Sequence, residues 1–194
     1  ERWLEARCIR HAAAVVTVSE GVAALQERAF GCLPVIIRNC DDRRLQRAPS
    51  RRLREAAGVG PTEFLFVVVG HAKRGQAIPE LIEALAAIPA PVHAALVGLG
   101  YEQFAAQIRA RGLEGRVHMV PPVKPYEIVP FIADADAALV LYYPRSANYL
   151  YCLPNGFFQA IAAGLPLLYP ELPEIRKIAA EYDLGLPIDP VSAA

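Results

Sequence analysis

Short apolar runs, many of them β-branched, alternate with stretches of helical period along almost the whole chain. This alternation limits the fold more than any other feature. The strand-like runs are 15–18, 35–37, 64–69, 93–97, 117–120, 137–141 and 165–169. The helix-like stretches are 2–11, 20–30, 51–57, 77–87, 101–111, 125–133, 155–163 and 171–181. Apolar strands separated by amphipathic helices are buried on both faces, which predicts an α/β fold with a doubly wound parallel sheet. Ligands of such sheets bind past the carboxyl ends of the strands, so the residues just after strands carry the functional information.

The richest of these positions is the stretch 153–175, which reads as a helix start, a helix, a stop and a buried strand. Pro154 suits a first turn, where its missing N–H costs nothing. Asn155, Gly156 and Phe157 follow, and the N–H groups at such a helix mouth favour an anion such as a phosphate. Gly164 and Pro166 stop the helix. Gln159 lies one turn in, within reach of the same ligand. The strand 64–69 runs into Gly70-His71-Ala72-Lys73-Arg74-Gly75. Gly70 lets a ligand approach the backbone, and Lys73 and Arg74 can neutralise a diphosphate, or the loop is a helix-capping turn with solvated cations. After 93–97 comes Gly98-Leu99-Gly100, a weak signal by itself. After 117–120 comes Pro121, whose nitrogen cannot donate. After 137–141 comes a long polar and aromatic loop that includes Tyr151.

These residues together resemble the retaining "group 1" (family 4) glycosyltransferases of GT-B fold. Ala162, Gly164, Pro166, Leu167 and Leu168 match that family's A-x-G-x-P segment, and Asn148, Tyr149, Leu153, Pro154, Asn155, Phe157 and Phe158 match its N-Y-x-x-x-L-P-N-K-F-F-E branch. Val16 to Glu20, Ile36, Asn39 and Asp42 match the family's passage from the end of the acceptor domain into the hinge. The resemblance implies a Rossmann-like donor domain over 43–194, one half of the two-domain architecture. Residues 1–42 would then be the tail of the N-terminal acceptor domain and the hinge. It implies a nucleotide-diphosphate sugar donor, a saccharide or lipid-linked acceptor, and a catalytic role for Arg74 and Lys73 at the diphosphate. It implies donor contacts from Gly70, His71, Gly98, Val120, Pro121, Tyr151, Asn155, Gly156, Phe157 and Gln159. Tyr151 and Gln159 occupy the family's two Glu positions, and Gly156 stands in place of its Lys. Two other readings stay open on that account: a non-catalytic homologue kept as a binding or scaffolding module, and a sugar-nucleotide epimerase.

Composition narrows the setting. Twenty Lys and Arg balance twenty Asp and Glu, so bulk attraction to nucleic acid is not expected. The local run Arg43, Arg44, Arg47, Arg51, Arg52 and Arg54 is a solvated linker and helix face, or a contact for phosphate or an anionic lipid surface. Cys8, Cys32, Cys40 and Cys152 lack metal or redox spacing and read as reduced thiols of a cytoplasmic protein, with a peripheral membrane contact as a further option. No H-x-x-H occurs, no metal or cofactor is expected, and cationic side chains would stabilise the leaving diphosphate. With no initiator Met and no signal peptide, the chain reads as part of a longer polypeptide, and the family resemblance implies a place in polysaccharide biosynthesis.

Overall fold

The computed structural model describes residues 2–42, 44, 46–89 and 91–189. It opens with helix α1 (Arg2–His11), strand β1 (Val16–Thr17), helix α2 (Glu20–Phe30) and strand β2 (Val35–Ile36). The two strands pair in parallel as a small sheet of their own. Ser19 starts α2 in extended conformation, and its Oγ accepts from the Val22 N–H, one of the donors a helix start leaves unpaired. Gly31 closes the helix in the left-handed region.

A second, six-stranded sheet contains the rest. In chain order its elements are α3 (Leu53–Ala57), β3 (Phe64–Val69), α4 (Ile78–Ala87) and β4 (Val92–Val97). Next come a 3₁₀ turn (Tyr101–Phe104), α5 (Ala105–Ala110), β5 (Val117–Val120), α6 (Ile128–Ile132) and β6 (Ala137–Leu139). The last are α7 (Ala147–Leu150), α8 (Asn155–Ala162), β7 (Leu167–Pro170), α9 (Pro173–Tyr182) and β8 (Gly185–Ile188). Every pairing is parallel, in the order β5-β4-β3-β6-β7-β8. The chain therefore winds outward in one direction from β3 and in the other from β6.

Alternation along the strands feeds two cores. Leu65, Val67, Ala95 and Val97 point to one face, with Ile128 and Phe131 of α6, Phe157 and Ala160 of α8, and Ile175 and Ile178 of α9. Val68, Ala94 and Leu96 point to the other, with Ile78, Ile82 and Leu85 of α4 and Ile108 of α5. Burying side chains of this size contributes roughly 1.5–3 kcal/mol each. Helices thus cover both faces, as the apolar strands predicted.

The leading segment is tied to the sheet unit by polar bonds. Gly21 N–H donates to Glu174 Oε1 at 2.6 Å, Lys177 Nζ pairs with Glu20 at 2.7 Å, and Asn39 Nδ2 donates to Asn155 Oδ1 at 2.6 Å. The arginine run is largely absorbed by structure. Arg54 pairs with Asp136 and donates to the Gly60 and Asp134 carbonyls, Arg44 pairs with Asp42, and Arg52 reaches the Pro130 carbonyl. Arg47 sits over the Tyr126 ring, and Arg43 lies outside the described residues.

Candidate functional site

A cleft of about 380 Å³ opens where the winding reverses, between the loop after β3 and the loop after β6. In open α/β sheets this switch point is where ligands bind, because the loops on either side diverge and leave a crevice. Val69, Gly70, His71 and Lys73 form one wall. Tyr142, Leu153, Pro154, Asn155, Gly156 and Gln159 form the other. None of these ten residues is a carboxylate.

The β3 wall is fixed by its neighbours. Gly98 N–H donates to the Val120 carbonyl, Gly70 N–H to the Val97 carbonyl, and Ala72 N–H to the Leu99 carbonyl. Gly98 has φ 155°, and a Cβ there would stand 2.0 Å from the Gly70 oxygen. Only glycine lets the β4 loop close on the β3 loop. The buried Tyr101 hydroxyl donates to the same Gly70 oxygen at 2.9 Å, and burial pushes its pKa up. The Leu99 N–H donates to His71 Nδ1 at 3.0 Å. A neutral His71 ring therefore carries its proton on Nε2, available as a donor.

A second set of bonds joins the two walls. Lys73 N–H donates to Gln76 Oε1 at 2.8 Å, and Gln76 Nε2 donates to the Tyr142 hydroxyl at 3.3 Å. Tyr143 N–H donates to the Gly75 carbonyl, and the Tyr149 hydroxyl donates to the Arg74 carbonyl. Cys152 lies beside this junction. Burial pushes its thiol up to about 11, with the Lys73 ammonium pulling weakly the other way.

The mouth of α8 completes the cleft. Gly156 approaches the end of β3 so closely that a Cβ would stand 2.5 Å from the Val69 carbonyl oxygen. A lysine at this position, as the resembling family has, would need the helix to move. Phe157 is fully buried in the core, and its N–H donates to the Pro154 carbonyl at 3.0 Å. The backbone donors at the mouth are the N–H groups of Asn155 and Gly156.

The structure thus gathers Gly70, His71, Lys73, Asn155, Gly156 and Gln159 in one place. Arg74 is exposed and does not line the cleft. Gly98 and Val120 stand behind the β3 wall, and Pro121 is exposed beyond the end of β5. Tyr151 packs on α2, where a Cβ on Gly21 would meet its ring at 2.0 Å. Sequence reasoning did not single out Tyr101, Tyr142 or Gln76. A large aromatic directly after Gly98-Leu99-Gly100 was the available signal for Tyr101.

A second groove, of about 240 Å³, lies between α4 and strands β6 to β8, lined by Leu81, Leu139, Leu141 and Leu168. Its polar neighbours are Glu80 and Asp189, which would repel an anion. Of these two cavities, the switch-point cleft is the one that offers a cation and helix N–H donors.

The architecture has solved counterparts. Sucrose-phosphate synthase from Thermosynechococcus elongatus superposes with a TM-score of 0.79 at 19% identity, over 99% of this chain and 49% of that one. The fold is one half of the GT-B glycosyltransferase architecture. HepE from Anabaena in complex with UDP-glucose matches at a TM-score of 0.73 and 23% identity, over 91% of this chain and 50% of its own. WaaG, a glycosyltransferase involved in lipopolysaccharide biosynthesis, matches at 0.70 and 20%, over 92% and 50%. The chain spans about half the length of these proteins. No family model and no curated protein matches the sequence. The GT-B fold expected from the motifs is borne out. Among the described residues no helix is long and apolar enough to cross a membrane.

Proposed function

We propose that this chain is the donor half of a glycosyltransferase, binding a nucleotide-diphosphate sugar at the switch-point cleft. The observation that carries the reading is the pairing of Lys73 with the mouth of α8 across one cleft free of carboxylates. A diphosphate there meets a cation on one side and aligned N–H groups on the other. HepE, with the same half-fold, was solved with UDP-glucose. As the glycosidic bond breaks, negative charge grows on the leaving diphosphate. Lys73, the His71 Nε2–H and the Asn155 and Gly156 N–H groups stabilise that charge without reorganising. Arg74, one residue on and exposed, adds long-range charge. Gln159 bonds the ribose. Residues 43–194 form the donor unit, residues 1–42 belong to the acceptor side and hinge, and the acceptor is a saccharide or lipid-linked acceptor held outside this chain. The free cysteines fit a cytoplasmic setting.

A second reading has one observation in its favour. Tyr151, at a position where the resembling family has Glu, packs against Gly21 and does not line the cleft. A protein that binds the nucleotide without transferring sugar fits that arrangement.

Titration calorimetry with UDP, GDP and ADP, each beside its nucleoside, tests the donor site. One diphosphate should bind, and bind more tightly than its nucleoside. Absence of binding by all three removes the reading. Turnover of the bound sugar nucleotide by the complete protein separates the two readings.

A further inference from the structure

Asn155 lies at the anion-facing mouth of α8, yet its side chain is held from another part of the fold. Asn39, in the connection after β2, donates from Nδ2 to Asn155 Oδ1 at 2.6 Å, across 116 residues of sequence. The bond is the only one that Asn155's side chain makes among the described residues. A carboxamide is planar, with its oxygen and nitrogen on opposite sides of Cγ. With the oxygen committed to Asn39, the Nδ2 donors turn the other way.

We infer that Asn39 is a positioning residue for the cleft, fixing the Asn155 amide so that donors rather than an acceptor face the bound anion. It rests on the anion site proposed above. An unrestrained Asn155 presents oxygen or nitrogen to the cleft with similar ease, and its oxygen repels a phosphate. Asn39 removes that choice. Because Asn39 belongs to the leading segment, diphosphate affinity becomes dependent on where that segment sits against α8. The neighbouring ties, Gly21 to Glu174 and Glu20 to Lys177, hold the same segment in place.

The test is a double-mutant cycle on the 194-residue chain, read by calorimetry with UDP, GDP or ADP, whichever binds, and with the matching nucleoside. Asn39→Ala should weaken the diphosphate about fivefold, the size of one hydrogen bond, and leave the nucleoside unchanged. In an Asn155→Ala background the same substitution should have no further effect. Asn39→Asp, which can only accept, should weaken the diphosphate more than Asn39→Ala, because Asn155 must then turn its oxygen to the cleft. An Asn39→Ala effect that persists at full size without the Asn155 amide overturns the inference, as does unchanged diphosphate affinity. The side-chain amide resonances of Asn155 give a readout that needs no ligand. In Asn39→Ala they should shift and sharpen towards a freely rotating amide. If no nucleotide binds but the resonances respond, the donor-site reading fails and the positioning of Asn155 stands. If they do not respond, the positioning role itself is wrong.

Discussion

Gly21 donates its backbone N–H to Oε1 of Glu174 at 2.6 Å, and that carboxyl is 6% exposed. Gly21 is the second residue of α2, and Glu174 the second of α9, so one carboxylate faces the positive ends of two helices. It answers an orphan N–H of α2 while stabilising its own helix start. Glu174→Ala should lower stability by about 1–3 kcal/mol, because a partly buried N–H loses its acceptor. Glu174→Gln should cost less, since its carbonyl can still accept. Equilibrium urea unfolding measures both. Equal stability of Glu174→Ala and the parent would show that the bond carries no weight.

Gly21 also meets Tyr151. Its Cβ, if it had one, would be 2.0 Å from the ring, so Gly21→Ala must displace either Tyr151 or α2. The expected loss is about 1–3 kcal/mol, as for an overpacked core. Tyr151→Ala should recover most of that loss in the double variant, because the obstruction is then gone. A double variant no more stable than Gly21→Ala would place the strain elsewhere.

Such contacts mark the limit of what the sequence could reveal. Gly21 and Glu174 are 153 residues apart, and no local pattern links them. The strands and helices were legible because each carries its own period. α1 and α2 fall where the periodicity puts them. β8 was not foreseen, since Gly185-Leu186-Pro187-Ile188 carries two weak strand formers and pairs on one side only, where proline is tolerated. α7 is a single turn capped by Ser146 Oγ inside a polar loop, too short to show a period. The stretch after β4 reads as one helix but begins as a 3₁₀ turn at Tyr101, whose ring and hydroxyl are drawn into the Gly70 loop. In the site, residues that follow a strand or open a helix were legible from their position. Orientation was not: Lys73 lines the cleft and Arg74, one residue on, does not.

That contrast gives the next prediction. Lys73 lines the cleft and Arg74 does not. Lys73→Ala should weaken nucleoside diphosphate by about 1.5–3 kcal/mol, the range for hydrogen bonds to charged groups. Arg74→Ala should act only through screened attraction, with a smaller loss that fades as salt rises. Neither should change affinity for the nucleoside. Calorimetry at two salt concentrations reads all of this. A larger loss for Arg74→Ala than for Lys73→Ala would mean that Arg74 swings inward to grip the phosphates.

The close approach of α8 to β3 is open to a direct test. A methyl at position 156 would stand 2.5 Å from the Val69 carbonyl oxygen, a backbone atom that cannot turn aside. Gly156→Ala should therefore cost about 1–3 kcal/mol and push the helix mouth off the cleft. Diphosphate binding should fall with it, while nucleoside binding falls less. A variant with parental urea midpoint and parental affinity would show that α8 has room to spare.

The far end of the sheet holds a different ionisable arrangement. His93 on β4 is 7% exposed, with its Nδ1 3.0 Å from His118 Nε2 on β5 and its Nε2 3.4 Å from Glu63 Oε1. Glu63 Oε2 in turn accepts the Gly60 N–H at 2.7 Å. The carboxylate holds the His93 proton on Nε2, which leaves Nδ1 to accept from His118. Burial, and then the neighbouring His93, push the His118 pKa below its ordinary 6.5, against a smaller pull from Glu63. The unfolded chain then binds more protons than the folded one once the pH falls near 6.5, so stability drops on acidification. The loss begins near the unfolded value and is complete below the depressed folded value. Glu63, held low chiefly by the Gly60 N–H, adds its own loss only below the ordinary carboxylate range. His118→Gln keeps an amide donor towards His93 but does not titrate. Its melting temperature should change less than the parent's as pH falls from 7 through 6.5 and below. Parallel melting curves for the two proteins over that range would assign the acid sensitivity to other groups.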